Sequence, residues 1–357
     1  YIEKLLHIYW LLRKGKAMTP MTEIENLKDG VYEKVMSRRF AEVLQEALAK
    51  DQVRAEEEEV DAEEAVGYLS TYLQQVIRLC LKDIADRDAE DSVAHQLALT
   101  NELIASLAQK TAELGGGQEV ANAPFLLKSL EHKRNTLQPR QWERPATSLT
   151  RSFLFTNSQK DVSMVHELTK EIASSDRIDF LISFIRFSGL QLLLPALRLF
   201  TARGGHLRVV TTTYMGATDP KAIEVLASLP HTEVRISYDV KETRLHAKSY
   251  MFYRESGYST AYIGSSNLSH AAIAEGMEWN MKVTAQDQPH IIDKMRATFE
   301  TYWHSEDFTP YEPKKDEEKL RTAIDRERGR GSEKNAPTYA FDIQPYPYQQ
   351  AILDALD

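Results

Sequence analysis

The chain has 357 residues, a length that suggests two or three domains, and its 42% hydrophobic and 27% charged residues suit a soluble protein with real cores. The formal charge of -9 offers nucleic acid no general attraction, so any such binding must come from local patches. The one cysteine, Cys80, excludes an intrachain disulfide and reads as a buried thiol in a reducing cytoplasm, and no apolar run reaches the about 18 residues that span a bilayer.

In chain order, Tyr1–Leu12 is apolar but interrupted by charge and lacks a basic leader, so it reads as an amphipathic helix and not a signal peptide; Met18 or Met21 could be the natural start. Helical spacing continues through Val31, Val35, Phe40, Val43, Leu44 and Ala47. It returns in Leu69, Tyr72, Leu73, Val76, Ile77 and Cys80, then in Leu97, Leu103, Ile104 and Leu107, before Gly115-Gly116-Gly117 ends it. Residues 1–118 are therefore expected to form a helical domain, a packing or assembly module without a chemical motif. The acidic run from Glu56 to Glu64 reads as a solvated loop or helix end. Residues 119–148, punctuated by Pro124, Pro139 and Pro145, form a bridge.

Over 149–309 strand-like and helix-like runs alternate. Strands are expected at 152–156, 178–184, 206–212, 233–238, 244–253, 260–263 and 277–284, with helices at 162–174, 190–202, 220–229 and 289–303. The pattern predicts an α/β sandwich, a mixed and largely parallel sheet flanked by helices. Residues 310–338 are charged and turn-rich and read as a linker with room for a short helix. Residues 339–357 open a further segment containing Tyr348-Gln349.

The chemistry concentrates in 246–280. His246 and Lys248 are two apart, so strand alternation puts both on one face. Ser265 and Asn267 of Gly264-Ser265-Ser266-Asn267 are again two apart, and Glu278 follows. A phosphodiester resists attack because its anionic oxygens repel nucleophiles; donors must surround it while a nucleophile approaches in line. His246 can be that nucleophile, Lys248 can hold a non-bridging oxygen, and Ser265 and Asn267 can donate to the same phosphate. Glu278 can accept the other ring N–H of His246 and hold its tautomer. Arg186, between a strand and a helix N-terminus, reads equally as a phosphate contact or a surface ion pair. Ser266 is a second candidate for substrate binding. Thr211-Thr212-Thr213 ends a strand on the same edge, which β-propensity explains equally well. No His/Cys/Asp cluster has metal-ligand spacing, and no cofactor is expected for this chemistry.

His246-x-Lys248 followed by Gly264-Ser265-x-Asn267 resembles the phospholipase-D superfamily over about residues 149–305. That signature often carries an acid five residues after the lysine, where this chain has Tyr253. Glu278, eleven residues after Asn267, is similar to the single-motif nuclease branch. The resemblance implies a metal-independent nuclease that works through a phospho-histidine. It also implies a homodimer, because the family takes the second acid-base group from a second motif and this chain has one. Pro345-Tyr346-Pro347-Tyr348-Gln349 resembles the segment before the phosphate-binding loop of superfamily 2 helicases, where the Gln reads adenine. That resemblance implies a helicase motor further along, using ATP and Mg, as in bacterial proteins of defence or DNA processing. The alternatives are a catalytically silent phospholipase-D fold that binds DNA or partners and regulates the motor, and an enzyme acting on phospholipid.

Overall fold

The computed structural model describes residues 31–333 apart from 34, 88–90, 112, 114–116, 122–124, 131–142, 157, 159–161 and 240–244. The expected opening helix and the Tyr348-Gln349 segment lie outside the described residues. The chain divides into two compact units, the first ending at Leu130 and the second beginning at Glu131.

The first unit is helical, with α1 (Arg38–Ala49), α2 (Ala65–Arg87) and α3 (Ser92–Ala108). Ser37 caps α1 by accepting from the Phe40 N–H at 3.2 Å, and Val43, Leu44 and Ala47 form its buried stripe. The Gln96 side chain on α3 donates to the Leu81 carbonyl of α2 at 2.9 Å. Residues 56–64 are exposed ahead of α2, as a solvated acidic run should be. Cys80 on α2 is half-buried, not the core thiol that its apolar neighbours suggested.

The second unit is built on one eight-stranded sheet of order β1-β7-β6-β5-β2-β3-β4-β8. Its strands are β1 (Phe153–Phe155), β2 (Arg177–Ile182), β3 (His206–Thr212), β4 (Thr232–Ser237), β5 (Lys248–Tyr253), β6 (Thr260–Gly264), β7 (Asn280–Thr284) and β8 (Thr309–Pro310). Helices α4 (Met164–Ser174), α5 (Phe187–Ala202), α6 (Pro220–Ala227), α7 (Pro289–His304) and α8 (Glu317–Glu333) cover it. The mixed sheet flanked by helices is as the sequence predicts, but the direction is not. Only β2–β3 and β3–β4 are parallel; the remaining pairings are antiparallel. The reason lies in connection length. Parallel pairing needs a crossover of roughly a dozen residues or more, and β5 reaches β6 through residues 254–259 alone.

Alternation along the strands sorts the core into two faces. Ile178, Phe180 and Ile182 of β2 join Leu207 and Val209 of β3 on the face covered by α4, α5, α6 and α8. Leu181 and Val210 point the other way, against Phe299 and Trp303 of α7. β2 is buried on both faces from Ile178 onward, and its one buried charge, Asp179, is paired with Arg208 at 2.7 Å. The described part of the expected linker, residues 310–333, packs on the sheet. Residues 309–310 pair with β4, and α8 sinks Leu320 and Ile324, one helical turn apart, into the main core.

A buried ionic cluster ties α4 to the sheet. Lys282 of β7 reaches Glu167 at 3.0 Å, Glu171 at 2.9 Å and the Thr147 hydroxyl at 2.8 Å. Arg254 and Thr260 close on the other oxygen of Glu171, and the Tyr262 hydroxyl donates to Glu171 at 2.8 Å. Burial alone would lift the Glu171 carboxyl, but Arg254 and Lys282 outweigh it and hold the group below the usual carboxylate range. Glu167 also accepts from the Ala146 N–H at 2.8 Å, pinning the segment that leads into β1.

Candidate active site

The C-terminal ends of β2, β3 and β4 meet the start of β5, the end of β6 and the start of β7 at one end of the sheet. Helices whose N-termini face such an end favour anions there. His246 is exposed and precedes β5, two residues short of where the predicted strand continues. Lys248 opens β5 opposite Ile182 and is 5% exposed. Its Nζ lies 3.0 Å from His246 Nδ1 and 3.1 Å from Nε2, and donates to the His246 carbonyl at 2.8 Å. The two residues therefore share one face, as their spacing predicts. Burial pushes the Lys248 ammonium below the ordinary lysine value, and the Glu278 charge pulls it partly back.

Between these residues and the Gly-Ser-x-Asn turn stands Phe184, which the sequence reading did not single out. Its ring meets the His246 ring edge-on at 6.0 Å, and Lys248 Nζ is 5.8 Å from its centroid. Its N–H donates to Asn267 Oδ1 at 3.2 Å, and its carbonyl accepts from the Leu268 N–H at 3.2 Å. Since a backbone donor must meet the amide oxygen, the Asn267 NH₂ is left for a ligand. The neighbouring Ser183 secures the other motif, its N–H and Oγ both donating to the Ala247 carbonyl, at 3.0 and 2.9 Å. The signal for this role is positional: 183–184 directly follow the C-terminal end of the largely buried β2, where α/β sheets place their sites.

Two glycines admit close approach. A Cβ on Gly264 would lie 2.1 Å from the Trp279 carbonyl oxygen, and one on Gly189 would lie 2.4 Å from the Ser269 nitrogen. Gly189 in α5 thus allows the turn carrying Asn267 to sit against the helix.

The Ser265 hydroxyl donates to Glu278 Oε2 and accepts from the Trp279 N–H at 3.2 Å. Glu278 therefore engages Ser265 and not the His246 ring, so the expected His246–Glu278 pair is not made. Charge still links Glu278 to Lys248, and adds to burial in raising the Tyr250 hydroxyl.

Ser266, a candidate for substrate binding, is corrected by its burial. It is 0% exposed, its hydroxyl donates to the Ala272 carbonyl at 3.2 Å, and it accepts from Asn280 Nδ2 at 2.7 Å. The Tyr250 hydroxyl holds the Ser266 carbonyl at 3.0 Å. With its hydrogen bonds used internally, Ser266 builds the turn and cannot meet a substrate. Thr211 and Thr212 are likewise buried, bonded to the carbonyls of Ser183 and Ser237. Arg186 stands at the N-terminus of α5 and pairs with Asp219 at 3.2 Å, a carboxylate that also meets Arg328 at 3.4 Å and the Phe187 N–H at 3.0 Å. The ion-pair reading of Arg186 is realised, while its side chain stays 44% exposed at the rim of the site.

Tyr253 lies at the far end of β5 from Lys248. Five residues of strand put it about 16 Å away. Its ring lies under Arg177 at 4.1 Å, and burial, then the Asp179 charge, pushes its hydroxyl up to about 12. Among the described residues no group of three or more His, Cys, Asp or Glu is placed to hold a metal ion, and no helix is long and apolar enough to cross a membrane.

An imidazole, an ammonium, a hydroxyl, an amide and a carboxylate thus collect at one end of a mixed sheet, in a part of the chain that is similar to phospholipase-D-like domains. Residues 168–303 match the family described as "Cardiolipin synthase, PLD-like domain". Among solved structures, NucT from Helicobacter pylori is similar at 18% identity and a TM-score of 0.37, over 45% of this chain and 99% of that one. Nuc from Salmonella typhimurium, a phospholipase D family member, is similar at 17% identity and a TM-score of 0.35, over 45% and 96%. Phosphatidylserine synthase from Haemophilus influenzae Rd KW20 is similar at 8% identity and a TM-score of 0.37, over 51% and 44%. No curated protein matches the sequence.

Proposed function

We propose that this domain is a metal-independent nuclease that cleaves phosphodiester bonds in nucleic acid, DNA in the first instance. The observation that carries the reading is the exposed His246 ring with the Lys248 ammonium against it, at the sheet end that also bears Ser265 and Asn267. His246 attacks phosphorus and the leaving alkoxide takes a proton, which gives a phospho-histidine and a free hydroxyl. Water then attacks phosphorus, loses a proton to a base, and regenerates the imidazole. Lys248 and the Asn267 amide neutralise the oxygens that gain charge in both steps. Arg186 holds a neighbouring phosphate.

The acid for the first step and the base for the second come from a second copy of the chain, whose His246 faces the first across a twofold axis. Glu278 spaced eleven residues from Asn267 favours nucleic acid over phospholipid as substrate, through the likeness to single-motif nucleases. The Tyr348-Gln349 segment supports a helicase motor beyond this unit, to which the nuclease would be coupled in the cytoplasm.

Plasmid and single-stranded DNA incubated with the purified chain in excess EDTA, beside His246→Ala, test the reading. Cleavage by the parent and none by the variant is the expected result. Equal cleavage by both removes His246 as nucleophile. Binding without cleavage by the parent supports the silent, regulatory domain instead, a reading that the replacement of the family's acid by Tyr253 favours.

A further inference from the structure

Trp279 is 66% exposed although its backbone is fixed. Its N–H donates to Ser265 Oγ at 3.2 Å, its carbonyl accepts from the Ser265 N–H at 3.1 Å, and it directly follows Glu278. A large aromatic side chain is costly to leave in water, yet here one is mounted on two hydrogen bonds to a candidate site residue. It does not stand alone. Met281 pairs with Ile263 across β6–β7 and with Leu154 across β1–β7, and all three are between 43% and 48% exposed. Direct cross-strand partners share a face, so an apolar row runs over the sheet next to Trp279.

We propose that Trp279 is a specificity-determining residue: its indole stacks on an unpaired base of a single-stranded nucleic acid whose phosphate lies at Lys248 and Asn267. This rests on the nuclease reading and names the substrate form. Stacking on an aromatic side chain tolerates any base, because every base has a π-face, and it needs no hydrogen-bond readout. A duplex already covers those faces, so an aromatic at the rim gains nothing from it without unstacking. The fixed backbone leaves only the two side-chain torsions of the indole to be ordered on binding, a small cost for so large a contact. Ile263 and Met281 extend the apolar surface for the next base.

The test uses the full chain carrying His246→Ala, so that binding is read without cleavage, with Trp279→Ala and Trp279→Phe added separately. Fluorescence anisotropy in EDTA compares a labelled single-stranded oligonucleotide, the same backbone made abasic, and a duplex. Trp279→Ala is expected to weaken the single strand about 10-fold while Trp279→Phe keeps most of the affinity, as one lost stack implies. Abasic and duplex affinities should not change. Unchanged single-strand binding in Trp279→Ala overturns the proposal, as does an equal loss on all three probes. A fall in mass by light scattering in Trp279→Ala also overturns it, assigning the row to a contact between copies of the chain. If the Trp279 parent binds none of the probes, the nuclease reading itself fails and the stacking role with it.

Discussion

The Lys248 ammonium rests against the His246 imidazole, 3.0 and 3.1 Å from its two ring nitrogens. An ammonium held there is placed to meet the oxygens of a phosphate that reaches the ring. Removing one such preorganised donor typically costs about 10²- to 10³-fold in kcat, so Lys248→Ala should lose activity on that scale. Its measure is single-turnover cleavage, with binding followed separately.

Burial also dictates a pH dependence. Lys248 must be charged to hold phosphate, and its ammonium titrates below the ordinary lysine value. The alkaline limb of kcat/KM, which reports the free enzyme, should therefore fall below about pH 10.4. In kcat the limb should sit higher, because bound phosphate favours the charged form. Lys248→Arg should move the limb out of range, since guanidinium stays protonated. A limb that stays in place in the arginine variant assigns it to another group.

Glu278 acts on Lys248 through charge while accepting from Ser265. Glu278→Gln retains an acceptor for the hydroxyl but removes the negative neighbour. Lys248 should then lose its proton at still lower pH, and the alkaline limb should shift downward. Parallel pH profiles of parent and variant give the sign directly.

Gly189 has no room for a methyl group, its Cβ position lying 2.4 Å from the Ser269 backbone. Overpacking of this kind costs roughly 1–3 kcal/mol. Gly189→Ala should lower the urea midpoint and, by shifting the turn that carries Asn267, reduce cleavage. An unchanged midpoint with full activity would show that the turn moves freely.

Far from the site, Glu171 is 0% exposed and held between Lys282 and Arg254. Removing one partner from a buried ion pair costs roughly 3–5 kcal/mol, so Glu171→Gln should destabilise by about that amount. The Glu171 carboxyl is depressed in the folded state. Its contribution is therefore complete above the unfolded value of about 4.3 and is lost as pH falls through the lower, folded one. Chemical denaturation from pH 6 downward should show a flatter acid loss for the glutamine variant than for the parent.

Much of this was legible in the residues themselves. Period-two and helical spacing located the sandwich within a few residues of its observed elements, because each strand buries one or both faces and each helix one stripe. The residue types at 246, 248, 265, 267 and 278 announced phosphodiester chemistry, because few other side chains can attack and neutralise such a group. The close approach of Gly264 to Trp279, the place of Phe184 between the two motifs and the burial of Ser266 were not legible. Each depends on which strand lies beside which, and alternation along one strand carries no record of its neighbour.

Sheet direction was partly readable, since residues 254–259 are too few for a crossover. The attachment of α8 was hidden for a different reason: only Leu320 and Ile324 anchor a helix otherwise charged and glycine-bearing, so its composition reads as solvent-facing. The sequence by itself determined the chemistry available and the class of fold. The tertiary structure decided that the Ser266 hydroxyl is spent in a turn, that Glu278 meets Ser265 and not His246, and that an indole stands open beside them. Hydrogen-bond partners and burial are properties of contacts between distant segments, and those exist only once the sheet has closed around them.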